Sequence, residues 1–462
     1  MTTTVIPGPR ALPLVGVRGN FAVFAFDAVK YLRRLHGQYG EIASLARGTT
    51  DYVFVFSPRY NQIVLRDSEL FQNIDAASTP VRMSEDSPLS RLYAGLTNMN
   101  GAKHRRQRKL MASALQRRHI EAYAPDIADI TRRAIEGWRV GAKVDLLAET
   151  RAITMAVAVK TLLGLEPERE GRATSSLLQD WMDTVFSVPA LAVPVDLPGF
   201  PYRRLTKLSG SLEATVRGLI EARRGGQTGG TDVLTRLTKA NDDDGTGLSD
   251  DELIGQTTFL FMAGHATTAS ALTWTLLLLC AHPGILGDVI DELDGAEGST
   301  PKLPLLDRVI KESLRLLPPV MWWSKVASAT VELGPHRLDT GAHVIFSSYI
   351  THRLPELYPR PDRFVPDRWL DNDPGPYGYL PFAAGPRMCL GSGFATMEMR
   401  QILAILLRRW RFEIAPGSRV DCGGLMVSQP KRGLPVLLRA PGGPIAGWTD
   451  PRGGIRSMVD LG

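Results

Sequence analysis

The sequence predicts a mainly α fold with a minor β portion. Three observations carry this. A run from Ser249 to the His282-Pro283 break is apolar nearly all round past its first turns. Residues 59–240 show mostly helical spacing of apolar positions, punctuated by Pro and Gly. Alternating, β-branched runs are few, short and scattered.

In chain order, "FAVFAFDAVKYLRRLHG" (21–37) reads as one amphipathic helix ending at Gly37. "EIASLARGTTDYVFVFSP" (41–58) reads as a hairpin around Gly48. "RRGGQTGG" (223–230) and "NDDDGTG" (241–247) are exposed connections. Ser249 and Glu252 then form a capping box, with Asp250 and Asp251 favouring the helix dipole. The helix they start can run about 32 residues, or about 48 Å. Its length and all-round apolarity put it across the middle of the fold. A helix over 305–317 ends at "LLPPV", and strand-like runs follow in "SKVASATVEL" and "AHVIFSSY". A Pro-rich irregular region (352–388), a last helix (392–410) and a strand near 434–440 complete a single domain over 1–440. The Gly/Pro-rich tail 441–462 is expected to pack poorly.

Composition narrows the function. The chain has 462 residues, 44% hydrophobic and 22% charged, ample for a large core. The formal charge of +6 is spread in short clusters such as "HRRQRK" (104–109), weak support for nucleic acid and compatible with an acidic protein partner or anionic cofactor groups. Three cysteines (Cys280, Cys389, Cys422) describe no disulfide scaffold and fit a reducing cytoplasm. The start lacks a basic region followed by an apolar run, so neither signal peptide nor anchor is expected. The helix 259–280 has the length of a membrane span, but its histidine, its hydroxyls and its mid-chain place read as a core helix.

The chemistry concentrates in "PFAAGPRMCLGSGFATMEMRQILAILLRRW" (381–410). Cys389 precedes a helix, and the positive end of a helix dipole favours thiolate. Gly385 and Gly391 let the backbone approach a flat ligand, Phe382 offers an aromatic face and Arg387 a fixed positive charge. That set suits a thiolate on heme iron with the arginine on a propionate. Cys280 and Cys422, without such surroundings, read as structural thiols.

Phe382, Gly385, Arg387, Cys389 and Gly391, continued by Ala395 and Glu398, resemble the heme-binding loop of the cytochrome P450 family. "KESLRLLPP" (311–319) resembles the family's E-x-x-R helix, with Glu312 and Arg315 on one face. Arg368 in "YPRPDRFVPDRW" resembles the residue that completes a structural Glu–Arg–Arg network. "GAKHRRQRK" resembles the early helix whose His104 and Arg108 reach one propionate. Lys325 falls where relatives place an arginine on the second propionate; lysine binds there as a point charge. The resemblance covers about residues 5–440.

It implies a P450 fold with heme b between the long central helix and the cysteine-loop helix. It also implies a monooxygenase acting on a small apolar molecule, in particular a natural-product intermediate. Electrons would come singly from a separate ferredoxin and ferredoxin reductase using NAD(P)H; Arg400, Arg408 and Arg409 are candidate contacts. Candidate pocket walls are 78–97, 182–198, the helix from Phe261 to Thr267, and "VMWWS" with Trp322 and Trp323. A cytoplasmic monomer with no membrane span and no nucleic-acid partner is expected.

The central helix would cross the distal heme face with Ala263, Gly264, His265, Ala266, Thr267 and Thr268. Gly264 leaves room for dioxygen, Thr267 manages protons, and His265 points away into a polar contact. Thr268 is expected to bond back to its own helix. The departure from the family is Ala266, where an acid usually assists proton relay. Three explanations stand open: another donor, a polar group on the substrate, or chemistry needing less ordered proton delivery. The last leaves a peroxide-driven or oxidative-coupling enzyme as an alternative, beside a non-catalytic heme-binding protein.

Overall fold

The computed structural model describes residues 5–74, 83–185, 187, 189–190, 193–226, 230–296, 302–424, 426–442 and 450–462. The central helix spans Asp250–Ala281. Ser249 accepts from the Glu252 backbone while the Glu252 side chain returns to the Ser249 N–H, closing the capping box. His282 leaves helical geometry and Pro283 opens the next helix, so the long helix stops there. From Ala269 to Ala281 every residue is buried, against the helix Leu146–Leu163 and the helix Ser392–Arg409 among others. The hydroxyls in this stretch are absorbed locally: Thr273 Oγ1 lies 2.9 Å from Thr150 Oγ1 and donates to Ala269 O.

Five early helices frame one side: α1 (Gly16–Phe26), α2 (Ala28–Tyr39), α3 (Pro58–Arg66), α4 (Pro88–Tyr93) and α5 (Gly101–Ala114). The single helix expected over 21–37 is two. Asp27 leaves helical geometry and its carboxylate accepts from Lys30 N at 3.1 Å, capping α2. The hairpin around Gly48 forms β1 (Ile42–Ser44) and β2 (Tyr52–Val55), with Gly48 at φ +79°. Its sheet continues through the strands His343–Phe346, Trp323–Ala327 and Phe71–Gln72, in that spatial order. Strand Trp323–Ala327 runs antiparallel to His343–Phe346, pairing Lys325 with Val344 and sending Lys325 inward. A second sheet joins Lys143–Asp145, Pro435–Arg439 and Arg411–Ile414.

The C-terminal segment differs from its expectation. Residues 443–449 lie outside the described residues, but Ile455, Met458, Val459 and Leu461 are buried. Asp460 N donates to Asp362 O at 2.9 Å, and Arg353 donates to Met458 O at 2.6 Å. Gly and Pro obscured four apolar positions that have a core to join. No single helix among the described residues is long and apolar enough to cross a membrane.

Candidate active site

The cysteine loop is shaped by its backbone. Gly385 sits at φ +71°, and a Cβ there would strike the Leu65 carbonyl at the end of α3. Only glycine permits both the turn and the close approach. Cys389 N donates to Phe382 O at 2.8 Å and Met388 N to Gly385 O at 3.0 Å, folding the loop back before Gly391 caps the helix Ser392–Arg409. Cys389 is surrounded by protein, yet part of its surface is uncovered, so it borders internal space. A Cβ on Gly391 would likewise meet nothing within 4 Å. Burial pushes the Cys389 thiol above its ordinary pKa, against the pull of the Gly391 N–H and Arg108. Burial and the helix end thus act on this thiol in opposite directions.

Around this loop stand four cationic or basic side chains. His104 and Arg108 lie one turn apart on α5, and Arg108 donates to Met388 O at 2.7 Å. Arg387 donates to Met99 O at 2.9 Å and to Asn100 Oδ1 at 2.8 Å, while its Nε has no partner. Lys325 donates to Asn73 Oδ1 at 2.5 Å. Burial, reinforced by mutual repulsion, holds His104 down to about 4, Lys325 to about 7 and Arg387 to about 10. Among the described residues none of the four pairs with a carboxylate. Gathering basic side chains without acids in a partly dry place disfavours their charged forms unless an anion joins them. Asn73 and Asn100 were not legible as part of this group: Asn100 Nδ2 donates to Asn73 O at 3.0 Å, and together they tie Arg387 to Lys325.

On the central helix, Ala263 and Gly264 are exposed although Phe261 and His265 beside them are buried. A Cβ on Gly264 would meet nothing within 4 Å. This turn therefore also borders internal space. Ala266 and Thr267 are partly buried. His265 turns away: its Nδ1 lies 3.0 Å from Thr154 Oγ1, and burial lowers its pKa to about 4, so it stays neutral. The back-bond expected of Thr268 is made by Thr267. Thr267 Oγ1 donates back to Ala263 O at 2.6 Å. Thr268 instead bonds the side chain of Glu398, on the cysteine-loop helix. That carboxyl is fully buried, and desolvation pushes it up to about 8. Glu398 had a signal in the sequence, an acid within the apolar spacing of "FATMEMRQILAILL", but not its partner.

The description "Cytochrome P450" belongs to the family model that matches residues 6–433. The chain belongs to the cytochrome P450 family. It is 30% identical to cyclooctatin synthase of Streptomyces melanosporofaciens over 90% of this chain and 91% of that one. It is 34% identical to cyclooctat-9-en-7-ol 5-monooxygenase of the same organism over 70% and 73%. Among solved structures, retinoic acid-bound cyanobacterial CYP120A1 superposes with TM-score 0.81 and 25% identity, covering 95% of this chain and all of that one. The protein is thus a P450 monooxygenase, and its family implies heme with a cysteine thiolate ligand.

The residues of this P450 fit that group. A lone thiol, four basic side chains without acids and two glycines bordering open space match a flat metal complex with two carboxylates. Behind them lies a largely buried ion network. Glu312 binds Arg315 through two bonds of 2.9 Å and Arg368 through one of 2.9 Å. It also accepts from Val365 N and Trp369 Nε1 at 3.0 Å. Arg315 spends its other protons on the His352, Pro361 and Arg363 carbonyls, tying the irregular region 352–369 to its helix.

Other candidates are placed as follows. Phe382 is partly buried against the main core, as is Trp322, whereas Trp323 joins a second cluster. Of the wall stretches, residues 78–82, 186, 188 and 191–192 lie outside the described residues. Arg400 is held by Asp307 at 2.6 and 2.9 Å, and Arg408 donates to Leu293 O at 2.7 Å, so two of the three candidate partner contacts are already engaged; Arg409 is exposed. Cys280 is buried, donating to Phe412 O at 3.3 Å, and burial pushes both it and Cys422 to about 12, which suits structural thiols.

Proposed function

We propose that this P450 oxidises a small, largely hydrocarbon molecule with Cys389 as the thiolate ligand of heme b. The carrying observation is the lone thiol ringed by basic side chains that no carboxylate among the described residues pairs with. Arg387, His104, Arg108 and Lys325 would hold the heme carboxylates, with Asn73 and Asn100 orienting Lys325 and Arg387. When bound, the heme supplies oxygen activation, one atom of dioxygen going to substrate and the other leaving as water. Cys389 donates electron density through its thiolate. Gly264 and Ala263 keep a space open on the central helix, and Phe261 to Thr267 form part of its wall. Glu312, Arg315 and Arg368 brace the helix and irregular region behind the cysteine loop.

Ala266 cannot move a proton, but Glu398 can hold one. With a pKa of about 8, its carboxyl is protonated at neutral pH and bonds the Thr268 hydroxyl, one residue from Thr267 and two from Ala266. Among the explanations for Ala266, this observation favours another donor within the chain. Peroxide-driven turnover is the second reading, supported by Ala266 itself.

The substrate class rests on apolar relatives: an unsaturated carbocyclic alcohol in one name and retinoic acid in another. Electrons are assigned to a separate ferredoxin and its NAD(P)H-dependent reductase, in keeping with the family's use of redox partners. The test is a screen of the purified ferric protein for low-spin to high-spin shifts across terpenoid, fatty-acid, polyketide and indole libraries. Each hit is then turned over with ferredoxin and reductase, or with peroxide alone. Reductant consumption coupled to oxidised product supports monooxygenation; product from peroxide only supports the second reading. Binding without either product supports a non-catalytic heme protein.

A further inference from the structure

One imidazole joins the Glu312–Arg315 helix to the cysteine loop. His352 follows the short helix Ser348–Thr351 and is fully buried. Its Nε2 lies 2.7 Å from Leu380 N and its Nδ1 3.0 Å from Arg315 O. A backbone N–H can only donate, so Nε2 accepts, and the one ring proton sits on Nδ1 and donates to Arg315 O. Burial pushes the pKa of the ring down to about 3, which keeps it neutral. Its plane is held by Tyr379, stacked with centroids 5.4 Å apart, whose hydroxyl donates to Lys311 O at 2.9 Å. Arg315 donates in return to His352 O at 2.8 Å, so residue 352 and the helix Pro304–Leu316 hold each other twice.

Leu380 opens the turn that leads to the thiol. Its carbonyl accepts from Ala383 N at 3.2 Å, and the Phe382 carbonyl accepts from Cys389 N at 2.8 Å. Ala383 stands between them at φ +55°, a left-handed conformation that a residue with a Cβ keeps only where its surroundings hold it. The anchor at the start of this strained turn is the bond from Leu380 N to the imidazole. We propose that His352 is a positioning residue for Cys389. Through Leu380 N it fixes the turn from which the sulfur is presented, and so sets how firmly that sulfur holds heme iron. This rests on Cys389 being the heme ligand.

The test uses the heme-loaded protein, reduced and exposed to carbon monoxide, whose absorption band distinguishes thiolate from thiol ligation. His352→Leu strands the buried Leu380 N–H, whereas His352→Gln keeps one of the two ring bonds. Met458→Ala, which truncates a buried side chain of the C-terminal segment, controls for general loss of stability. The thiolate band should decay about tenfold faster than wild type in His352→Leu and about threefold faster in His352→Gln, the scale of one buried bond lost or weakened. The heme reduction potential should rise in the same order, as the sulfur donates less. Met458→Ala should lower the thermal midpoint yet keep the wild-type decay and potential. The proposal is overturned if both histidine variants decay at the wild-type rate with the wild-type potential, or if Met458→Ala decays as fast as His352→Gln. Should His352→Leu fail to fold, His352→Gln against Met458→Ala decides alone. A wild type with no thiolate band at all would overturn the ligand assignment, and the proposal with it.

Discussion

At the scale of single residues, Glu398 gives the sharpest pH signature. Its carboxyl is raised from an ordinary 4.5 to about 8 by burial. The folded chain therefore keeps a proton that the unfolded chain releases between those values. Its contribution to stability is fully present below pH 4.5 and is lost as pH rises toward 8. Glu398→Gln should flatten that part of the stability-versus-pH curve, read as urea midpoints from pH 5 to 9. Parallel curves would show that the residue does not titrate in this range. With reductant present, the same variant should release more peroxide per product if Glu398 supplies protons. Ala266→Glu should also change coupling while heme is retained; unchanged yield and peroxide release would leave position 266 without a special part. The cation ring predicts heme retention. Arg387→Ala or Lys325→Met should speed heme loss to an excess apoprotein acceptor by about tenfold, the scale of one charge-assisted hydrogen bond. Equal rates would remove that side chain from the site.

At the scale of elements, legibility followed locality. The central helix could be read because its cap, its apolar run and its Pro stop are all within one stretch, and it spans Asp250–Ala281 with the capping box made. The Gly48 hairpin was readable for the same reason. The break at Asp27 was hidden because the apolar spacing continues through it; the capping bond decides. Which threonine meets which partner was not readable at all. Thr267 and Thr268 differ by 100° on one helix, and only the packing of a second helix brings Glu398 to the latter. The C-terminal segment misled through composition. Deleting 450–462 removes four buried apolar side chains and should cost several kcal/mol, on the order of 1.5–3 each, seen as a lower thermal midpoint. An unchanged midpoint would make those contacts dispensable. Glu312→Ala should cost about 3–5 kcal/mol in urea unfolding, because it strands the buried Arg315.

At the scale of the molecule, the motifs in the sequence lie far apart, and the fold gives them a common place. His104 on an early helix, Lys325 on a strand and Arg387 in the cysteine loop repel one another only because the sheet and α5 meet at that loop. The residue types and order pointed to this site; Asn73 and Asn100, which join its parts, depend on contacts across 27 residues of chain and carry no local pattern. The most direct test of the central claim is turnover under isotopically heavy dioxygen, with ferredoxin and reductase and a substrate found by spin-state shift. The wild type should place one heavy oxygen atom in the product, and Cys389→Ala should form none. Unlabelled product, or labelled product from the Cys389→Ala protein, would contradict the account.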